Sequence, residues 1–315
     1  VLTVSSWLPP SHALSTTQKE WCDLLEKNTS GKMKCNILPR GVSAAPGTFD
    51  AIKNGLADIS YTVHGYTPGR FVSPQMAEFP FLGNSAESIS VAFNKIAAKY
   101  PEFNKEHQGV KVLTLFTHGP GIVFNTKRPI TKVEDLSGLK FRVGGGMVNE
   151  ISKALGMNVT LKPAPDSYEL LAGGVMDGTL FPAESTESFK IDKIIRHATT
   201  FPGGLYNTSF VFMMNQAKYD SLPPDLRKVI DANSGAAAAK AFGKQWDASA
   251  PPARKLAADR GNTFYVIPAS ELANWEKATA NLDDDWVKDV TAKGNDGKML
   301  LQTARDLIRK YEGAK

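Results

Sequence analysis

Arg142 is the residue best placed to do chemistry. It lies in the run Gly138-Leu139-Lys140-Phe141-Arg142-Val143 and is followed by Gly144-Gly145-Gly146. Leu139, Phe141 and Val143 alternate, which predicts a strand carrying those three on its core face. Arg142 then points to the opposite side, just before the strand ends. The glycines let a ligand approach the backbone closely. The helix predicted after them, with Val148, Ile151, Ala154 and Leu155 on one face, offers free N–H groups and a positive dipole end. A planar guanidinium beside such a terminus suits a carboxylate, through two parallel charge-assisted bonds plus backbone donors. An arginine in this position would serve equally well by pairing with a structural Asp or Glu.

Aromatic and polar residues gather at the ends of other predicted strands. Trp7 follows the first strand, and His64 and Tyr66 follow the strand that ends near Tyr61. Phe181 and Tyr168 come from the second half of the fold, and Tyr206 and Asn207 precede a strongly apolar strand. Ligands of open α/β sheets sit outside the carboxyl ends of strands, and every one of these positions except Tyr168 adjoins a strand end. Around Arg142, the set describes a cleft with apolar, stacking walls.

Signatures of catalysis are missing. The five histidines, His12, His64, His107, His118 and His197, form no HExxH pair, and there is no GxSxG elbow or GxxxxGK[ST] phosphate loop. Gly144-Gly145-Gly146 lacks the spacing of a dinucleotide loop. No Cys/His cluster predicts a metal, and no cofactor is expected. The two cysteines, Cys22 and Cys35, fall on a helix and on the strand after it, so they form either a disulfide or two buried thiols.

These residues must be positioned by alternating strands and helices, the pattern of α/β layers with mostly parallel sheet. Strands are predicted at 1–6, 32–38, 57–61, 110–116, 122–125, 139–143, 158–161, 175–180, 207–215 and 263–267. Helices are predicted at 13–28, after the capping box Asn84-Ser85-Ala86-Glu87, and from Leu222-Pro223-Pro224-Asp225 to about Asp247. The chain changes layer near His118-Gly119-Pro120-Gly121 and returns near Asn207. This divides it into two discontinuous α/β lobes: 1–119 with 208–247, and 120–207 with 248–315. Two lobes joined by hinge strands and a long helix leave a cleft, a favoured place for a ligand.

The 315 residues suffice for two ordinary domains, and 42% hydrophobic with 22% charged residues is a soluble globular balance. No apolar run reaches the roughly 18 residues of a membrane helix. The net charge of +5 is dispersed along helix faces, without the dense basic patch that nucleic-acid binding needs.

Several segments carry a family likeness: Thr126-Lys127-Arg128-Pro129-Ile130, Glu134-Asp135-Leu136-Ser137-Gly138-Leu139-Lys140-Phe141-Arg142, Gly174-Val175-Met176-Asp177-Gly178 and Leu222-Pro223-Pro224-Asp225-Leu226. In these the chain resembles the substrate-binding proteins of TRAP (tripartite ATP-independent periplasmic) transporters, in order and over nearly its whole length. The resemblance implies a two-lobed periplasmic-binding-protein fold that closes on a ligand. It implies a monomer in the periplasm with its leader removed, handing a small organic acid to membrane permease subunits and catalysing nothing. It places the carboxylate-gripping arginine at Arg142, a site-lining backbone position at Gly145, first-lobe ligand positions at Trp7 and Tyr66, and a site asparagine at Asn207.

The chain departs from the sialic-acid binders of that family. Ile122 stands where they carry a second arginine, Phe181 where they carry an asparagine, and Val63 and Tyr66 where they carry charged first-lobe ligands. Each change removes polarity, and hydroxyls left unpaired against such walls cost about 1–3 kcal/mol each. The expected ligand is therefore an aromatic monocarboxylate, such as a benzoate or arylglyoxylate. A uronate or aliphatic keto acid is the alternative, with Asn207, His64, His118 and Tyr168 serving sugar hydroxyls; a cleft enzyme acting on carboxylates is the alternative of another class.

Overall fold

A computed structural model describes residues 1–313. The described residues form eleven strands in two sheets. The first sheet contains β1 (Leu2–Val4), β2 (Cys35–Ile37), β3 (Ile59–Val63) and β4 (Val110–Thr117). The second contains β5 (Ile122–Asn125), β6 (Lys140–Val143), β7 (Asn158–Leu161), β8 (Gly178–Phe181) and β9 (His197–Thr200). Then β10 (Ser209–Asn215) returns to the first sheet and β11 (Thr263–Val266) closes the second. The orders are β2-β1-β3-β10-β4 and β11-β9-β5-β8-β6-β7.

Each sheet is parallel except where the chain crosses over. β5 runs antiparallel to β8 and β9, and β10 runs antiparallel to β3 and β4. A chain that leaves the carboxyl end of β4 and enters the neighbouring sheet within a few residues must enter it from the cleft side, so its first strand runs against the others. All seven residues of β10 are buried, as its apolar sequence predicts.

Helix Ala13–Asn28 has the expected bounds, with Leu14, Trp21 and Leu25 buried, but Leu24 is exposed on its outer face. Cys22 and Cys35 form a disulfide with 5.8 Å between their Cα atoms, tying that helix to β2. β2 starts only at Cys35 and its Ile37 is exposed, because it is the edge strand.

The expected long helix from Pro224 is two helices. Pro224–Ala232 ends at Asn233, whose carbonyl accepts a hydrogen bond from Trp21 Nε1 at 2.7 Å. Gly235, at φ +61°, then resets the direction for Gly235–Asp259. This second helix runs past the predicted end at Asp247 and through Pro251-Pro252, both on its exposed side. It packs on helix Ala86–Lys99 and β4 of the first layer and on Ser185–Ser188 of the second, so it spans both. Asp247 on it caps the start of Ala86–Lys99, accepting from the Ala86 backbone N–H at 2.7 Å.

The last helix, Gly297–Gly313, lies against Ala86–Lys99 in the first layer, not with the second lobe as the sequence suggested. Its stripe of Leu300, Leu301, Ala304 and Ile308 is buried, and its Glu312 accepts from the Ser85 backbone N–H at 2.9 Å. Ala314 and Lys315, expected to belong with the C-terminal helices, lie outside the described residues.

Closing a loop of this length by a disulfide stabilises a fold by about 3 kcal/mol. Replacing Cys22 and Cys35 together by serine is expected to lower the melting temperature by several degrees in scanning calorimetry. An unchanged melting temperature would show that helix packing alone holds β2 in place.

Candidate functional site

A cavity lies between the two sheets, at the level where the chain crosses from one to the other. Arg142, near the end of β6, forms part of its wall and is only 2% exposed. Its Nε donates to the Lys162 carbonyl at 2.8 Å and its Nη1 to the Leu180 carbonyl at 3.4 Å. Its guanidinium carbon sits 4.4 Å from the centroid of the Phe181 ring. Among the described residues, no carboxylate lies within 4.0 Å of it, which removes the structural ion pair left open by the sequence. The guanidinium has five N–H groups and the two carbonyls occupy two. A buried cation without an anion is costly; burial accordingly pulls the Arg142 pKa below its ordinary value. An anion entering the cavity would relieve that cost.

Aromatic rings complete the wall. Trp7 follows β1, fixed by a 2.9 Å hydrogen bond from its Nε1 to the Tyr61 carbonyl, and meets Tyr66 edge-on with 5.7 Å between centroids. The Tyr66 hydroxyl accepts from the Ala164 N–H of the second layer at 2.9 Å. Burial raises the Tyr66 phenol above its ordinary value, while the facing Arg142 charge pulls it down. Phe181 stacks on Phe189 at 5.4 Å. Of the residues the sequence put forward, Arg142, Trp7, Tyr66, Phe181, Tyr206 and His118 line the cavity.

Gly145, His64, Asn207 and Tyr168 do not. A Cβ on Gly145 would lie 2.3 Å from the Gly65 carbonyl oxygen, and the residue adopts φ +95°. Its lack of a side chain serves the approach of the two layers, and Gly144 is the glycine that faces the cavity. His64 Nδ1 bonds to Ser209 Oγ at 2.8 Å and its Nε2 to His107 Nε2 at 2.8 Å. Asn207, with its amide oriented to satisfy both groups, donates to the carbonyls of His118 (2.9 Å) and Gly119 (3.0 Å), bracing one interlayer crossing against the other. Tyr168 is 43% exposed on helix Ser167–Ala172.

The helix terminus expected to face a ligand is already occupied. Met147 N–H, at the start of Met147–Ala154, donates to Glu78 Oε2 at 2.8 Å. Glu78 Oε1 also accepts from Ser209 N–H (3.0 Å) and Oγ (2.6 Å). Since Ser209 Oγ donates to Glu78, it accepts from His64 Nδ1–H, and His64 Nε2 then accepts from His107. A buried polar chain thus runs from the second layer into the first.

Wall residues that the sequence reasoning did not put forward include His12, Trp246 and Phe189. Trp246 follows Phe242 at helical spacing, which reads as core. His12 reads as the cap of the first helix, and it is that too: its Nδ1 accepts from Leu14 N–H at 3.1 Å.

Burial dominates the titration of these groups. It lowers His12 and His118 to about 4 and His107 to about 3, and pushes His64 well below its usual value. It raises Glu78 and Glu184 to about 7. The histidines regain ordinary values near 6.5 on unfolding, so below that pH the unfolded chain takes up protons that the folded one refuses, and stability falls with acidification. The two glutamates act oppositely: between 4.5 and about 7 the folded chain keeps protons that the unfolded one releases, so their contribution falls as pH rises. Four histidines outweigh two glutamates. The ligand-free protein is expected to melt highest near pH 6.5 and progressively lower toward pH 4.5 in calorimetry; a melting temperature that climbs on acidification would contradict this balance.

Comparison with known proteins agrees with this architecture. A chain from Bordetella bronchiseptica, a TRAP periplasmic solute-binding protein with bound (R)- and (S)-mandelate, is 39% identical, with a TM-score of 0.95 over 98% of this chain and 99% of that one. A marine metagenome TRAP solute-binding protein specific for aromatic acid ligands, in complex with 3-hydroxybenzoate, is 36% identical, with a TM-score of 0.93 over 98% of each chain. One from Rhodoferax ferrireducens with copurified benzoate is 32% identical, with a TM-score of 0.93 over 99% of this chain and 98% of that one. The family model described as bacterial extracellular solute-binding protein, family 7 (DctP), matches residues 4–289. The chain belongs to that family, and is a solute-binding protein of the TRAP type.

Proposed function

We propose that this protein captures an aromatic monocarboxylate in the cavity between its sheets and delivers it, as a periplasmic monomer, to the membrane permease of a TRAP transporter. The single observation that carries this reading is Arg142: a buried guanidinium with no acidic partner, stacked on Phe181 in an aromatic-walled cavity. The ligand carboxylate would take the guanidinium's remaining donors, and its ring would lie among Trp7, Tyr66 and Phe181. The proteins that share most of this fold at 32–39% identity hold mandelate, 3-hydroxybenzoate and benzoate. No helix among the described residues is long and apolar enough to cross a membrane. Membership of a solute-binding family favours capture without turnover.

Capture and closure are coupled in this reading. The ligand would touch Arg142 and Phe181 on one side and Trp7 and Tyr66 on the other, so it stabilises the closed arrangement over any open one. A uronate fits less well: of the four residues expected to meet its hydroxyls, His118 lines the cavity, while His64, Asn207 and Tyr168 face elsewhere.

The test is a thermal-shift and calorimetric comparison of benzoate, 3-hydroxybenzoate, mandelate and glucuronate on the protein and on Arg142→Ala. A ligand at a hundred times its Kd should add about 2.7 kcal/mol of stability. The aromatic acids are expected to bind, and Arg142→Ala to weaken them by at least about thirtyfold, since losing one partner of a buried charge pair costs about 2–5 kcal/mol. Binding of glucuronate alone, or aromatic-acid affinity untouched by Arg142→Ala, would overturn the assignment.

A further inference from the structure

Arg142 has one nitrogen left over. Its Nε and Nη1 are bonded to the carbonyls of Lys162 and Leu180, and Nη2 has no carbonyl partner among the described residues. The surroundings of Gly144 show where Nη2 lies. A Cβ at Gly144 would stand 3.3 Å from Arg142 Nη2 and 3.4 Å from Tyr66 Cε1. Nη2 and the Tyr66 ring therefore border the same small space, and the missing side chain keeps that space open on the cavity. A carboxylate has about four lone-pair sites, and one guanidinium edge fills two of them. The remaining sites need donors from elsewhere on the wall.

Tyr206 supplies one. It lies on the crossing that returns the chain to β10, lines the cavity and is 3% exposed. Gly121 of the outbound crossing makes room for its ring: a Cβ there would stand 2.1 Å from Tyr206 Cδ1. The Gly121 N–H donates to the Tyr206 carbonyl at 2.9 Å, and His118 meets the ring edge-on at 5.3 Å. Ring and backbone are thus fixed, while the hydroxyl makes no hydrogen bond among the described residues. Trp246 Nε1, on the same wall, is also unpartnered but is sealed from open space. The Tyr206 hydroxyl is not sealed, and the space on which this buried wall residue opens is the cavity. Burial holds its phenol well above the ordinary value, so it keeps its proton, while the Arg142 charge acts on it in the opposite sense. It is a donor within the field of the guanidinium, and a buried donor left unpaired is costly.

We propose that the Tyr206 hydroxyl donates to the ligand carboxylate beside Arg142, so that the anion is gripped by the second layer and by the crossing together. The proposal rests on the aromatic-acid reading of the cavity and deepens it by naming the donor that completes the carboxylate's shell. His118 is unsuited to that role. Its Nδ1 bonds the Gly119 carbonyl, which can only accept, so in the neutral ring Nε2 carries a lone pair and no proton. Tyr206 adds a proton without adding a charge. The clamp therefore holds one positive charge, from Arg142, and matches a single carboxylate; a second cation in its place would have suited a diacid.

Tyr206→Phe tests this, because it keeps the ring against Gly121 and His118 and removes only the hydroxyl. Calorimetric titration with benzoate, 3-hydroxybenzoate and mandelate is carried out on the protein and on the variant, with a melting scan of each without ligand. All three acids share only the carboxylate and the ring, so all three are expected to lose affinity by a similar factor, about tenfold or more, the loss of a hydrogen bond to a charged group. The ligand-free melting temperature is expected to stay the same or rise, since the hydroxyl has no partner to lose. Unchanged affinity for benzoate, including a loss confined to the two acids that carry a hydroxyl, would overturn the proposal and leave the aromatic-acid reading intact. A lower ligand-free melting temperature would overturn it too, by showing that the hydroxyl is already bonded within the protein. Failure of all three acids to bind the unsubstituted protein would instead overturn the aromatic-acid reading, and the proposal with it.

Discussion

A positive charge buried without a negative one organises this molecule. Arg142 is removed from water on the floor of an interlayer cavity, and the protein supplies it with carbonyl oxygens and an aromatic face but no carboxylate. Carbonyls and rings offset part of the lost hydration and leave the charge uncancelled. The fold around it prevents the easy remedies. The neighbouring acids are committed elsewhere: Glu78 to the start of helix Met147–Ala154 and to Ser209, Glu184 to Ser185 and Ser188. The site is complementary to an anion because no carboxylate among the described residues contacts the guanidinium, and Asp166 acts on it only at longer range.

The contacts that bring the two layers together are of a different kind. Gly65 meets Gly145 backbone to backbone, Tyr66 meets the Ala164 amide, and Glu78 reaches across to Met147. Apolar packing joins the layers as well: Leu115 and Val211 of the first sheet share one buried cluster with Val123, Phe141 and Leu180 of the second. The long helix and the two crossings braced by Asn207 hold the layers in register.

Much of this was legible in the sequence, for specific reasons. Alternation of Leu139, Phe141 and Val143 fixed the direction of Arg142, because a strand's side-chain period leaves no choice. The layer changes at His118–Gly121 and near Asn207 were marked by glycine, proline and a switch to continuous apolar strand. What failed was discrimination among residues at strand ends. His64 and Asn207 occupy the same kind of position as Tyr66, yet their side chains turn toward Ser209 and toward the opposite crossing. Which way such a residue turns depends on partners far along the chain, Ser209 for His64 and the His118–Gly119 carbonyls for Asn207. Trp246 was invisible for the converse reason: its helical spacing is that of a core residue, and only the path of the helix over both layers brings it to the cavity. The break at Asn233–Gly235 was missed because Leu222-Pro223-Pro224 signals where a helix begins and says nothing of how far it runs.

Arg142 is held mainly by its own side of the molecule, through the carbonyls of Lys162 and Leu180 and the ring of Phe181, with Tyr66 reaching it from the other. Trp7, Tyr66 and His12 approach from the other side. A parted cleft therefore still presents the guanidinium in its final place, while the walls that measure the rest of the ligand are absent. Recognition divides in time. Charge is tested at encounter, when almost any small carboxylate can land, and shape is tested only as the layers meet. Poor ligands are then discarded by rapid departure from a half-built site, so selectivity resides in how long a molecule stays and much less in how fast it arrives.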